Sequence, residues 1–143
     1  MSRFDDFAIG WHWESPHRTI SAEDVAAFAS LTGDRSALHL DDAAAAAGPY
    51  GRRIAHGMLV LSCSIGLAVE GGLLGGDLLA FAGVDRLRFV APVFIGDAVA
   101  VRKRVVDRTP LEDSRGIVAF DTRIVNQDDV TVVAYVDRYL IRR

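Results

Sequence analysis

The stretch that decides the fold is residues 57–70, which read GMLVLSCSIGLAVE. Large aliphatic side chains alternate there with glycine, serine, alanine and one cysteine, and two further glycines follow at positions 71 and 72. This pattern predicts a helix about 20 Å long that is apolar nearly all round and buried on most sides. A helix of this kind needs other elements wrapped around it, and its small residues let their backbone come close.

The sequence after this helix changes to an apolar period of two. Phe81, Leu87 and Phe89 alternate with Arg86 and Arg88, which is the pattern of a half-buried strand. Clusters of glycine, proline, asparagine and aspartate separate the β-rich segments and predict hairpin turns between them. The predicted strands are residues 10–13, 18–20, 98–106, 116–126 and 130–141, with one more that begins at residue 80 and stops at the proline at 92.

Two shorter helices are expected ahead of the apolar one. Ser21 is a predicted N-cap with Asp24 three residues further on, and Gly33 suits the C-terminal end of that helix. A second short helix is predicted over residues 42–47. With helices early and strands late, we predict the α+β class, in which a long antiparallel β-sheet wraps around one long central α-helix, residues 57–70.

Length, composition and charge narrow the class of protein. The 143 residues are 50% hydrophobic and 24% charged, which is typical of soluble globular proteins, and we expect one domain over residues 1–143. A formal net charge of −3 gives no reason to expect a nucleic-acid partner. The single cysteine, Cys63, fits a reducing compartment, so we expect a cytoplasmic protein. We expect no membrane span, because the longest apolar run, residues 58–69, is too short and too rich in serine and glycine to cross a bilayer.

A carboxylate and an imidazole lie close together just ahead of the predicted central helix. Residues 31–41 read LTGDRSALHLD, which places Asp34 and His39 five positions apart around a turn. Residues 54–62 read IAHGMLVLS, which places Gly57 at the N-terminus of the apolar helix. An acid–base pair beside a helix N-terminus supplies what the addition or removal of water across an activated carbonyl compound needs.

Taken together, these two motifs resemble the MaoC-like dehydratase family, which includes the R-specific enoyl-CoA hydratases. The segment FVAPVFIGD at residues 89–97 resembles a strand and turn of the same family, so the resemblance covers almost the whole chain. It implies the hot-dog fold and a substrate that is an acyl thioester of coenzyme A or of an acyl carrier protein. It also implies a homodimer or a higher homo-oligomer.

The resemblance assigns roles to particular residues. It implies that Asp34 and His39 are the catalytic pair and that the backbone N–H of Gly57 polarises the thioester carbonyl. It further implies that the hydroxyl of Ser62 lines the active site. One departure is visible, because the family usually has Asn-Pro at the place where this chain has Ser-Ala, positions 36–37.

Hydration of a trans-2-enoyl thioester needs an activated water, a proton for the α-carbon and stabilisation of negative charge on the thioester oxygen. Asp34 and His39 can hold one water between them, but the sequence leaves open which group accepts its proton and which delivers one to carbon. His56 is expected either to order the entrance of the helix or to touch the substrate. We expect neither a metal nor another cofactor, and coenzyme A enters only as part of the substrate.

Two other functions remain open for such a fold. One is an acyl-CoA thioesterase, and the other is a non-catalytic subunit that binds acyl thioesters beside an active homologue. The arginines at 52–53 and the Arg-Lys-Arg run at 102–104 are candidate contacts for coenzyme A phosphates, although such runs usually form a solvated face. An exposed edge strand favours the pairing of two copies across a two-fold axis.

Overall fold

A six-stranded antiparallel sheet dominates the computed structural model, which describes residues 3–143. The strands are β1 (His12–Glu14), β2 (Arg18–Thr19), β3 (Leu78–Phe89), β4 (Ala98–Leu111), β5 (Arg115–Val125) and β6 (Thr131–Arg142). Neighbouring strands follow the order β1–β4–β5–β6–β3, and β2 pairs with the first residues of β4. Among the described residues β3 pairs with β6 alone, so β3 forms a long open edge of the sheet.

The helices confirm most of the predicted starts and ends. They are α1 (Ala22–Thr32), α2 (Ala37–Leu40), α3 (Asp42–Ala46) and α4 (Gly57–Glu70), and a 3-10 turn covers Phe4–Asp6. Ser21 caps α1 in a reciprocal capping box with Asp24, through hydrogen bonds of 3.1 and 3.0 Å. Gly33 ends α1 in the left-handed conformation, with φ 83°. The single turn α2 was not predicted, since four residues are too few to carry a periodic signal.

The central helix α4 has the predicted bounds and leaves one side open. One side packs into the apolar core on the sheet through Val60 and Leu67. The other side is open, because Met58 and Val69 are 52% and 48% exposed. The prediction of burial on most sides is confirmed, because seven of the fourteen residues are buried and the exposed ones lie on one side of the helix. We call the exposed residues Met58, Ser62, Gly66 and Val69 the open face of α4.

The predicted strands are all present, and the antiparallel α+β architecture is confirmed. The largest difference is in β4, which continues past its predicted end at residue 106 and includes Pro110. That proline was expected in a turn, but it pairs with Gly116 beside the hairpin, where the end of a strand tolerates a missing N–H donor. No helix within residues 3–143 is long and apolar enough to cross a membrane.

A buried polar network crosses the core side of the sheet. Lys103 of β4 donates to Asp137 of β6 at 2.5 Å and to Thr122 of β5 at 3.0 Å. The hydroxyls of Thr122 and Tyr139 donate to the same carboxylate, each at 2.6 Å. Burial lowers the pKa of Lys103, and the adjacent carboxylate acts in the opposite direction. The expectation of a solvated face at 102–104 is wrong for Lys103, because alternate side chains of a strand point to opposite faces.

Candidate active site

The turn after α1 presents the carboxylate of Asp34. Gly33 ends that helix in a left-handed conformation, so the chain leaves the helix axis directly before Asp34. Ser36 donates to Oδ1 of Asp34 twice, from its hydroxyl at 2.6 Å and from its backbone N–H at 3.2 Å. These hydrogen bonds hold the pKa of Asp34 below its ordinary value. The side chain is 48% exposed, and its Oδ2 is the oxygen that lies nearest to two imidazoles.

The first of these imidazoles belongs to His39 in α2. It is nearly buried, and its Nδ1 lies 2.8 Å from the carbonyl oxygen of Ile54. Since a carbonyl only accepts, Nδ1 carries the proton in this bond and Nε2 is the free nitrogen. Nε2 lies 3.9 Å from Oδ2 of Asp34. That distance is too long for a direct hydrogen bond and suits a water molecule that bonds to both groups.

The second imidazole belongs to His56, directly before α4. Its Nε2 lies 2.9 Å from the backbone carbonyl oxygen of Asp34 and 4.0 Å from Oδ2 of the same residue. The ring stacks on that of His39, with ring centroids 3.9 Å apart. The ring of Phe28 contacts the His56 ring as well, with centroids 4.9 Å apart. His56 is therefore enclosed by the groups that flank the carboxylate.

Gly57 is the first residue of α4 and lies next to the imidazole pair. The N–H groups in the first turn of a helix have no partner within the helix, and the positive end of the helix dipole is at this end. A Cβ at Gly57 would lie 2.6 Å from the ring of Phe89, which packs directly over this position. The close approach favours glycine here, since a Cβ would push the Phe89 ring aside, and the same lack of a side chain gives a ligand access to the backbone.

Two cavities adjoin this cluster and share His39, Gly57 and Met58 in their walls. The first has a volume of about 380 Å³ and the second about 390 Å³. No lysine or arginine of the described chain lines either of them. The first is further lined by Tyr50, Ile54, Ala55, Val60, Phe89, Val90, Ala91, Pro92, Val93 and Val133, and the second by Phe28, Thr32, Asp34 and His56.

Asp34, His39 and His56 also form a cluster of metal-ligand types. One ligand atom from each lies within 4.8 Å of the others. Two ligands of one tetrahedral zinc ion lie roughly 3.4 Å apart, because each bond is about 2.1 Å long. Both carboxylate–imidazole distances are longer than this, at 3.9 and 4.0 Å. The Asp34 carboxylate and the imidazoles would therefore have to come closer together to share one ion.

Comparison with known proteins identifies the fold and the family. A family model described as a MaoC like domain matches residues 6–127. This chain belongs to the MaoC-like dehydratase family. The resemblance that the motifs at residues 31–41 and 54–62 indicate is thereby confirmed.

MaoC-like relatives share much of the sequence. The (R)-specific enoyl-CoA hydratase of Aeromonas caviae is 39% identical over 116 residues, which are 81% of this chain and 82% of that protein. Protein MaoC of Klebsiella aerogenes is 36% identical over 99 residues, 69% of this chain and 29% of that protein, so the chain spans less than a third of that relative. A conserved hypothetical protein of Mycobacterium tuberculosis, described as having a double hotdog fold, is 26% identical with a TM-score of 0.83, and the match covers 98% of this chain and 44% of that one. The expected hot-dog fold is confirmed.

Two serines of this MaoC-like chain, Ser36 and Ser62, donate hydrogen bonds to nearby groups of the protein. Ser36, at a position where the family usually has asparagine, bonds to the Asp34 carboxylate through its side chain. Ser62 lies on the open face of α4, where its hydroxyl donates to the carbonyl of Met58 at 2.7 Å. Ser62 lines neither cavity among the described residues, and its role as an active-site hydroxyl stays a prediction.

Two side chains support the site in ways that sequence reasoning missed: Arg53 was expected to contact coenzyme A phosphates or to lie on a solvated face, and Phe89 was named only as a strand residue. Arg53 pairs with Asp42 of α3 at 2.8 Å and donates to the carbonyl of His39 in α2 at 3.3 Å, so it links the two short helices. Phe89 packs over Gly57. Alternation along β3 placed Phe89 on one face of a strand, but nothing in the pattern indicated which helix end that face would meet.

Proposed function

We propose that this chain is a hydro-lyase that reversibly hydrates a trans-2-enoyl thioester to an (R)-3-hydroxyacyl thioester. The observation that carries the proposal is the 3.9 Å gap between Oδ2 of Asp34 and Nε2 of His39, beside the N-terminus of α4. Both atoms accept hydrogen bonds when the carboxylate is ionised and His39 has its proton on Nδ1. A water between them directs both of its hydrogens at protein acceptors and a lone pair at the substrate.

The reaction then balances with these groups alone. The water oxygen bonds to the β-carbon as one of its protons passes to Asp34 or His39, and the pair delivers a proton to the α-carbon. Negative charge that develops on the thioester oxygen is stabilised by the N–H groups at the start of α4, where Gly57 allows close approach. The reverse sequence removes water. The R configuration of the product rests on the family resemblance.

The cavities favour an uncharged acyl chain. The cavity of about 380 Å³ is bounded mostly by aliphatic and aromatic side chains. A dicarboxylic substrate would bring a carboxylate that needs a cationic partner, and no lysine or arginine of the described residues lines this cavity. We therefore propose an aliphatic enoyl chain carried by coenzyme A or by an acyl carrier protein, with neither metal nor other cofactor.

We also propose a homodimer, or a higher assembly, that works in the cytoplasm. The open edge of β3 carries unpaired backbone groups and exposed Leu79 and Phe81, and such an edge favours pairing with a second copy. The single cysteine, Cys63, is buried and free, which fits a reducing compartment.

The test is the ultraviolet absorbance of crotonyl-CoA incubated with the purified protein, together with an assay for free thiol. We expect loss of the conjugated signal without thiol release, and a rate at least ~10² lower in Asp34→Asn and in His39→Gln. His17→Gln, a change of an exposed histidine elsewhere, is the matched control and should keep the rate. An enoyl-CoA with a terminal carboxylate should react poorly.

Other outcomes of the same assay point to other functions. Thiol released in step with substrate loss would indicate a thioesterase. Saturable binding of crotonyl-CoA and longer enoyl-CoAs with no turnover would indicate the non-catalytic binding subunit, and neither result is compatible with the hydro-lyase.

A further inference from the structure

His56 is the most deeply buried polar side chain beside the proposed reacting atoms. The residue is 2% exposed, compared with 8% for His39 and a half-exposed Asp34 side chain. It occupies the N-cap position of α4, but its side chain makes no capping hydrogen bond to that helix. The imidazole can therefore bond to a group outside the helix.

The hydrogen bonding of the two ring nitrogens indicates the role of His56. Nε2 of His56 lies 2.9 Å from the carbonyl oxygen of Asp34, and since the carbonyl accepts, Nε2 donates. The other nitrogen, Nδ1, is buried and has no hydrogen-bond partner among the described residues. A group that shuttles protons needs neighbours at both nitrogens, whereas a group that orients a loop needs one fixed donor. The ring of His56 fits the second description.

The position of the ring joins three separate segments. Its donor holds the turn that carries Asp34, its face stacks on His39 at 3.9 Å, and its backbone begins α4 at Gly57. Phe28 contacts the ring at 4.9 Å, which restricts its movement. The segment that carries His56 is itself anchored, because the N–H of Ala55 donates to the carbonyl of Val93 at 2.7 Å.

We propose that His56 is a positioning residue, whose Nε2–H bond to the Asp34 carbonyl and stacking on His39 set the separation of the catalytic carboxylate and imidazole. This inference rests on the proposed hydration function, which it deepens. His56 acts through Asp34 and His39 and does not exchange a proton with the substrate. Its loss therefore lowers turnover more than it weakens binding of the substrate.

Two variants separate the donor from the ring. His56→Phe keeps a ring to stack on His39 and removes the donor, whereas His56→Gln keeps an amide N–H that reaches the Asp34 carbonyl and removes the ring. With crotonyl-CoA we expect His56→Phe to lower kcat by roughly 10²-fold with KM changed by less than about threefold, because small misplacement of reacting groups has costs of this size. His56→Gln should recover at least about tenfold of that loss.

Several results would overturn the proposal. A wild-type kcat in His56→Phe would show that the donor is not needed, and a rise in KM alone would show that His56 contacts the substrate. Equal activities of the two variants, both in proportion to the folded fraction measured by circular dichroism, would reduce the residue to a structural one.

The geometry is tested separately by ¹⁵N NMR of the imidazoles in the wild-type protein without substrate. We expect the proton of His56 on Nε2 and that of His39 on Nδ1. A proton on Nδ1 of His56 contradicts the positioning role whatever the activity. If both tautomers are as expected and crotonyl-CoA is not hydrated, the proposed function fails while the arrangement of His56 stands.

Discussion

At the scale of single residues, two features of the structure favour glycine at position 57. Its Cα faces the ring of Phe89, so closely that an added Cβ would lie 2.6 Å from a ring carbon. Its backbone lies in the first turn of α4, where the N–H groups have no partner within the helix and can bind the oxygen of the proposed substrate. A side chain here would therefore disturb both the wall of the cavity and the approach of the substrate.

We predict that Gly57→Ala lowers kcat/KM for crotonyl-CoA by at least ~10-fold, an effect smaller than the ~10²–10³ typical of a lost oxyanion donor, because the N–H itself remains. Phe89 is half-exposed, so its ring can move aside, and the protein should still fold. Gly76→Ala is the control, since a Cβ there meets nothing within 4 Å, and its kinetics should match the wild type. Full activity of Gly57→Ala would remove this backbone position from the mechanism.

At the scale of elements, the ends of α4 could be predicted from sequence, but its surroundings could not. Glycines at both ends and an unbroken apolar pattern locate the helix from Gly57 to Glu70. A helix that is apolar all round carries no sign of which side the sheet will cover, so the open face of α4 could not be foreseen. The open face and the exposed edge of β3 both carry exposed apolar side chains, and we expect the proposed second copy to cover them.

We predict a dimer in solution that is weakened when Leu79 in β3 is changed to lysine. A lysine at a strand edge opposes pairing with another strand because its charge would have to be desolvated. Leu111→Lys, at the far end of β4, replaces a leucine of similar exposure and should leave the dimer intact. Sedimentation equilibrium of the three proteins measures this, and a monomeric wild type or an unchanged Leu79→Lys dimer would contradict the role of the edge.

At the scale of the whole molecule, the polar network of Lys103, Thr122 and Asp137 ties three strands together inside the core. A period-two reading of residues 101–105 already puts Lys103 on the same face as its two valine neighbours, so its burial had a signal that the charge run obscured. The contact of His56 with the Asp34 carbonyl had none, because it joins loops 22 residues apart. Local sequence patterns thus predicted the helices, the strands and the family motif. Contacts between segments far apart in the sequence became visible only in the folded structure.

We predict that Lys103→Met lowers the free energy of unfolding by about 3–5 kcal/mol, because it leaves the Asp137 carboxylate buried without its cation. The double variant Lys103→Met with Asp137→Leu should recover most of this loss, since apolar replacement of both partners removes the unpaired charge. Urea unfolding at neutral pH and fixed protein concentration measures both. A double variant no more stable than Lys103→Met would show that the network is more than an ion pair.

The order of the strands along the chain also determines when, during synthesis, the candidate active site can form. β1 and β2 are made early, yet both pair with β4, and the cavity beside His39 is closed in part by Val133 of β6. A growing chain therefore carries the proposed catalytic pair, Asp34 and His39, on the ribosome long before the wall around that pair exists. Such non-local pairing slows folding and exposes apolar segments in the meantime. Activity is expected to begin only after β6 has left the ribosome, and a nascent chain halted before β6 should be inactive and prone to aggregate.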